Sequence, residues 1–273
     1  METTAPSVAG PDPRLTRIHD VELYVEEPDG EGAPLVLIHG GWTDHATWSR
    51  LVPSLTSSFR VIRYDRRGHS RSRRGAVQPT RMQHEGDLAA LIERLDCAPA
   101  HLVGTSYGAL MALALAGRRP DLVRSVVAHE PPALALIPMP EVAALFDGVR
   151  DEILAGDPAG ATERFFEDAM LGPGGWELVP DPVRRAAIAN AETYVDMLAD
   201  PGWGTLDVTA VARFAGPILI TYGDSGPQWL SQLAITVAER TGSPMQIIPG
   251  AGHTPHHTHP QALAAIIKAH ALR

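Results

Sequence analysis

The chain has 273 residues, 44% of them hydrophobic and 20% charged, a balance that supports a buried core and excludes a chain kept disordered by its own charge. With 23 Lys and Arg against 32 Asp and Glu, the formal charge is −9, which argues against a general affinity for nucleic acid or anionic lipid surfaces. The one cysteine, Cys97, cannot form an internal disulfide, so the fold needs no oxidising compartment and the cytoplasm is the expected location.

The opening METTAPSVAG has neither the basic start nor the apolar run of a secretory leader. Residues 1–18, rich in Pro, Ser and Thr without periodicity, are expected to form a loose arm. Apolar runs follow at 21–25, 34–38, 61–64, 101–103 and 122–128, separated by segments whose apolar residues recur at helical spacing. That is the rhythm of a parallel sheet with helices on both faces, whose central strands are nearly uniformly apolar. From about 131 to 215 the rhythm changes. Helical stretches at 141–154, 159–170 and 181–198 succeed one another with no strand between them, which reads as a helical insertion. The strand pattern returns at 217–222, a helix follows over 227–241, a short strand over 245–248, and a last helix over 260–272. The expected organisation is one α/β core, 19–132 with 214–273, carrying an inserted helical unit over 133–213. No apolar stretch approaches the roughly 20 residues that cross a bilayer, and neither an internal repeat nor a low-complexity tract is present.

Gly104-Thr105-Ser106-Tyr107-Gly108 is a G-x-S-x-G between an apolar run and a helical one, the context in which a serine sits on a sharp strand-to-helix turn with its hydroxyl held clear. A serine nucleophile needs a base, and His253 in Gly250-Ala251-Gly252-His253 follows the last strand in a loop directed at the same sheet edge. Acyl transfer also needs two backbone N–H donors for the oxyanion. Tyr107 supplies one candidate. His39-Gly40-Gly41-Trp42, after the run 34–38, supplies the other, with Gly41 preferred and Gly40 and Trp42 open because a one-residue shift is invisible in sequence. Two acids compete to orient the histidine. Asp224, in Gly223-Asp224-Ser225-Gly226, comes early in its turn and has an alternative role as the cap of the helix near Pro227. Glu130, in His129-Glu130-Pro131-Pro132, ends the strand after the serine helix, where a buried carboxylate needs a partner.

Other residues carry weaker readings. His253, His256, His257 and His259 have the spacing of a metal cluster, but no carboxylate or cysteine accompanies them. His256, His257 and His259 are therefore read as making local hydrogen bonds or facing solvent, and no metal or cofactor is expected. The arginines at 60, 63, 66, 67, 71, 73 and 74 form a basic run, which the net charge argues against reading as a nucleic-acid site. Cys97 reads as a buried apolar thiol, and Met170 and Met197 as core or pocket lining.

Taken together, His39-Gly-Gly-Trp, the run from Tyr64 to Ser72, Gly104-Thr-Ser-Tyr-Gly and Gly250-Ala-Gly-His resemble the α/β-hydrolase family over about residues 18–272. The resemblance implies a mostly parallel eight-stranded sheet with a helical cap inserted after the sixth strand. His129-Glu-Pro-Pro is similar to the His-Glu-x-Pro segment of zearalenone-type lactonases, whose glutamate completes the triad from this strand, and on that match the acid role falls to Glu130. Those fungal lactonases carry Asp-Gly-Leu at the oxyanion turn, where this chain has His39-Gly40-Gly41. The implied chemistry is attack of Ser106 on an ester or lactone carbonyl, with His253 as base and Glu130 holding it. The expected partner is a small hydrophobic ester or lactone, gripped by Gly40 and Trp42 below and by Trp176, Tyr194 and Trp203 in the cap, each of which is equally well read as ordinary core. A homodimer is compatible with the composition, and neither nucleic acid nor membrane is an expected partner. The rival functions are a cofactor-free dioxygenase or a C–C bond hydrolase of the same fold, and a ligand receptor built on the hydrolase scaffold.

Overall fold

The computed structural model describes residues 14–27 and 30–272. Eight strands form one sheet in the order β1 (Leu15–Ile18), β2 (Val21–Glu26), β4 (Phe59–Tyr64), β3 (Ala33–Ile38), β5 (Ala100–Thr105), β6 (Val123–His129), β7 (Ile218–Gly223) and β8 (Met245–Ile248). The β1–β2 and β2–β4 pairs are antiparallel and all the others parallel, so the mostly parallel sheet expected from sequence is present. One strand was missed. Leu15–Ile18 fell within the expected loose arm, but it pairs with β2 and buries Ile18 beside Val21 and Leu23. The rest of that arm, residues 1–13, lies outside the described residues.

The central strands are apolar throughout because both faces are covered. On one face lie α1 (Arg81–Arg94), α2 (Tyr107–Arg118) and, later in the chain, α8 (Gln228–Thr241), which pack Leu88, Leu110 and Val237 into one core. On the other, Trp48 and α10 (Pro260–Ala271) pack against Leu35, Val61 and Val103. Burial of this kind supplies the main driving force for the fold.

Between β6 and β7 the chain is helical: α3 (Pro140–Leu154), α4 (Pro158–Phe165), α5 (Asp181–Ala189), α6 (Ala191–Ala199) and the short α7 (Val208–Ala212). Two features depart from the expected stretches. Residues 166–171 leave α4 as a π-helical turn, and the helix expected over 181–198 breaks at Asn190. The Asn190 side chain accepts the Ser70 N–H at 2.8 Å and donates to the Trp42 carbonyl at 3.0 Å, so the break ties the inserted helices to the sheet's loops. Although α7 falls within the expected insertion, it packs on α2, so closely that a Cβ on Gly117 would come 3.1 Å from Ala210. The short α9 (Pro255–Thr258) precedes α10. No helix among the described residues is long and apolar enough to cross a membrane.

Parallel register sets the level of the loops. Ile38 pairs with Gly104, Thr105 with His129, and His129 with Thr221, so the turns after β3, β5, β6 and β7 all leave one edge of the sheet. The glycines of the serine turn allow the close approach this requires. A Cβ on Gly104 would lie 2.3 Å from the Gly108 carbonyl oxygen, and one on Gly108 would lie 2.2 Å from that of Ile38.

Gly108→Ala is therefore expected to cost about 1–3 kcal/mol in urea unfolding. Gly86→Ala, in α1 where a Cβ meets nothing within 4 Å, is expected to stabilise by about 0.5–1 kcal/mol. Equal stability of Gly108→Ala and the parent protein would contradict the close packing of β3 on α2.

Candidate functional site

Three non-glycine residues at this edge hold positive φ: Ser106 at 53°, Glu130 at 46° and Trp42 at 66°. Such backbones are strained and persist where the surroundings fix them, commonly at functional sites. Ser106 caps α2 with its side chain free of helix-capping bonds, and Gly40 lies against it, so near that a Cβ there would come 3.1 Å from the Ser106 Cβ.

Glu130 follows β6 and keeps the ladder through its N–H, which donates to the Thr221 carbonyl at 3.0 Å. Its side chain is fully buried. Oε1 accepts the Gly223 N–H at 3.0 Å, and Oε2 lies 2.6 Å from His253 Nδ1. Burial by itself would raise the Glu130 pKa, but the hydrogen bond and charge of His253, with help from His129 and the Gly223 amide, outweigh it and hold the carboxyl below its ordinary value. The carboxylate only accepts, so the His253 proton sits on Nδ1 and Nε2 is left to take another.

Asp224 is arranged otherwise. It is exposed, and its Oδ1 accepts the Gly250 N–H at 2.6 Å, stapling the turn that leads to His253. The cap role also fails, since the N-cap of α8 is Pro227 and no side chain caps the helix.

The turn after β3 is pinned from behind. His39 Nδ1 donates to the Gly40 carbonyl at 2.8 Å, and Arg66 Nη2 donates to the same oxygen at 2.8 Å. The Gly40–Gly41 peptide is trans, so anchoring its carbonyl on that side turns the Gly41 N–H to the opposite one. Gly41 lines the cavity there, with Gly40, Trp42, Ser106, Tyr107 and His253.

The cavity measures about 330 Å³. Trp42 stacks on Tyr194 with ring centroids 4.7 Å apart, and Trp203, Met170 and Met197 also line the space. Four lining aromatics escaped the sequence reading: Phe146 on α3, Phe165 on α4, Phe166 on the π-helical turn after it and Trp229 on α8. The only sequence signal for them was the concentration of rings in this region. Trp176 is a correction. It packs on Phe166 at 4.9 Å, behind the wall, and does not line the cavity. Arg50 is the one Lys, Arg, Asp or Glu among the described lining residues.

Among the described residues, His253, His256, His257 and His259 do not bring three ligand atoms together. His256 and His257 both place Nε2 within 3.0 Å of the Thr47 hydroxyl, and His259 bonds Thr258. Burial lowers the His257 pKa to about 4 and that of His256 well below its ordinary value. His129, Glu130 and His253 do bring three ligand-type atoms within 4.8 Å of one another, but Glu130 already holds His253 and Gly223. The basic run is largely neutralised locally: Arg60 by Glu27, Arg63 by Glu26, Arg67 by Asp87 and Arg74 by Asp196. Cys97 is buried, which pushes its thiol up to about 11.

Residues 35–266 match the model of the alpha/beta hydrolase family, and the chain belongs to it. It is 29% identical over 265 residues to 2-(acetamidomethylene)succinate hydrolase of Mesorhizobium japonicum, covering 91% of each chain. It is 29% identical over 249 residues to pimeloyl-[acyl-carrier protein] methyl ester esterase of Aeromonas hydrophila, covering 88% of this chain and 95% of that one. A shorter match, 34% over 110 residues, covers 40% of this chain and 41% of the uncharacterized hydrolase YraK of Bacillus subtilis. Among solved structures, the enol-lactonase of Burkholderia xenovorans superposes with a TM-score of 0.78 over 95% of this chain and all of that one, at 21% identity, a likeness of fold.

His257 gives a test of the site's electrostatics. Its folded-state pKa is depressed, so it contributes stability that is present above pH 6.5 and lost as pH falls toward about 4. His257→Gln is expected to reduce the slope of unfolding free energy against pH in that interval by up to one proton, measured by urea denaturation at a series of pH values. An unchanged slope would mean that His257 titrates normally in the folded protein.

Proposed function

We propose that the chain is a serine hydrolase that cleaves neutral, apolar carboxylic esters or lactones through an acyl-enzyme. The observation that carries this reading is the 2.6 Å bond from His253 to the buried carboxylate of Glu130, behind a cavity that both His253 and Ser106 line. Ser106 Oγ attacks the carbonyl carbon while His253 Nε2 takes its proton. The Gly41 and Tyr107 amides receive the oxyanion, and Glu130 stabilises the histidine cation. Collapse of the tetrahedral intermediate expels the alcohol with the proton from His253. Water, deprotonated by the same histidine, then releases the acid and restores Ser106.

The helices between β6 and β7 act in this reading as a cap, with Trp42, Tyr194 and Trp203 gripping an apolar group. The esterase among the relatives and the His129-Glu-x-Pro match to zearalenone-type lactonases support an ester or lactone carbonyl. The single fixed cation in the lining favours a neutral substrate over a dicarboxylate. Such a substrate suits an enzyme working on small molecules in the cytoplasm.

The test is release of p-nitrophenol from short and medium acyl esters. Ser106→Ala and Glu130→Gln are expected to lower kcat by about 10³-fold or more, and Asp224→Asn to stay within about threefold of the parent, a factor worth less than 1 kcal/mol of barrier. Turnover that survives Ser106→Ala would remove the serine from the mechanism, and a parent protein inert on every ester and lactone would turn the reading toward the dioxygenase, tested by oxygen uptake. Collapse of Asp224→Asn with a fully active Glu130→Gln would reassign the acid.

A further inference from the structure

Arg66 and Arg67 are neighbours with opposite surroundings. Arg67 is held by Asp87 through two short hydrogen bonds and reaches Asp20 as well, the usual compensation for a buried cation. Arg66 is equally buried, 2% exposed, yet no carboxylate among the described residues bonds it. Its Nη2 donates to the Gly40 carbonyl and lies 3.0 Å from His69 Nε2, and its Nε has no partner. The adjacent acid, Asp65, is occupied by His45 and by the Arg71 N–H. The Arg66 guanidinium lies 5.0 Å from the centre of the Tyr107 ring. It thus touches both residues flanking the expected oxyanion position: the peptide whose N–H is that of Gly41, and Tyr107. Burial lowers its pKa to about 10, so it remains a cation at neutral pH.

We propose that Arg66 is a positioning residue for the oxyanion site, a buried cation whose counter-charge is the oxyanion formed during the reaction. This rests on the hydrolase reading above. An uncompensated buried charge is costly in the resting protein, and that cost is relieved when negative charge appears on the far side of the Gly40–Gly41 peptide. Stabilisation of this kind acts on the transition state and not on the bound ester. It acts through the peptide: donation into the Gly40 carbonyl polarises the bond and strengthens the Gly41 N–H as a donor. His39 fixes the same plane. Its Nε2 accepts the Arg66 backbone N–H at 2.9 Å, which leaves its proton on Nδ1 for the Gly40 carbonyl.

The experiment compares Arg66→Met, Arg66→Gln and Arg66→Lys with the parent, using a p-nitrophenyl ester and counting active sites by titration with a fluorophosphonate. Phenylboronic acid serves as the anionic tetrahedral mimic and a non-hydrolysable amide analogue of the ester as the neutral ground-state ligand. Loss of the charge in the Met and Gln variants is expected to lower kcat per titrated site by about tenfold or more, with KM within about twofold. Phenylboronic acid should bind more weakly by the same factor, the neutral amide should bind unchanged, and Lys should recover part of the loss. Should the Met variant fail to fold, the Gln and Lys pair carries the comparison, because Gln keeps a donor without the charge. Gln and Lys variants that match the parent in kcat and boronate affinity would overturn the proposal, as would a loss confined to KM and amide binding. A parent protein that neither hydrolyses esters nor reacts with the fluorophosphonate would remove the hydrolase reading itself.

Discussion

A carboxylate with no exposure to water has to be paid for by partners, and Glu130 has two: His253 on a loop after β8 and the Gly223 amide at the end of β7. That pair of bonds joins the ends of β6 and β7 to the loop after β8 and fixes the imidazole's orientation. Nδ1 is committed to the acid, Nε2 is left free of it, and the positive φ of Glu130 becomes a constraint the fold can sustain. The level register of β3, β5, β6 and β7 brings the serine turn and the Gly40–Gly41 turn to the same edge.

Charge is distributed around this edge in an ordered way. The cavity wall is apolar and aromatic, burial holds His39, His69, His256 and His257 below their ordinary pKa values, and the carboxylate stands behind His253. Arg66 stands behind the Gly40–Gly41 peptide, so a buried anion and a buried cation back the two proposed acid–base and oxyanion functions respectively. A site arranged in this way needs little reorganisation as charge moves through it.

Much of this was legible in the residues. Strands covered on both faces must be apolar, and the runs at 34–38 and 101–103 announced the central sheet. Strand β1 was not legible because only one of its four residues is buried, too short a pattern for alternation to show. Asn190 was hidden inside 181–198, where helical spacing continues across a break made by long-range hydrogen bonds. The choice between Glu130 and Asp224 could not come from spacing. It needed either a family resemblance or the burial of one carboxylate and the exposure of the other. Trp176 and Trp203 look alike in sequence, and only packing puts one behind the wall and the other on it. Arg66 and Arg67 make the same point at adjacent positions, since partner identity is a property of the folded chain.

The most direct measurement is the mass of the protein quenched in acid during turnover of a p-nitrophenyl ester, followed by mapping of the modified peptide. The expected result is one acyl group on the peptide containing Ser106, accumulating in the parent and absent in Ser106→Ala. Turnover without any acyl adduct, and undiminished in Ser106→Ala, would contradict a covalent serine mechanism at this site.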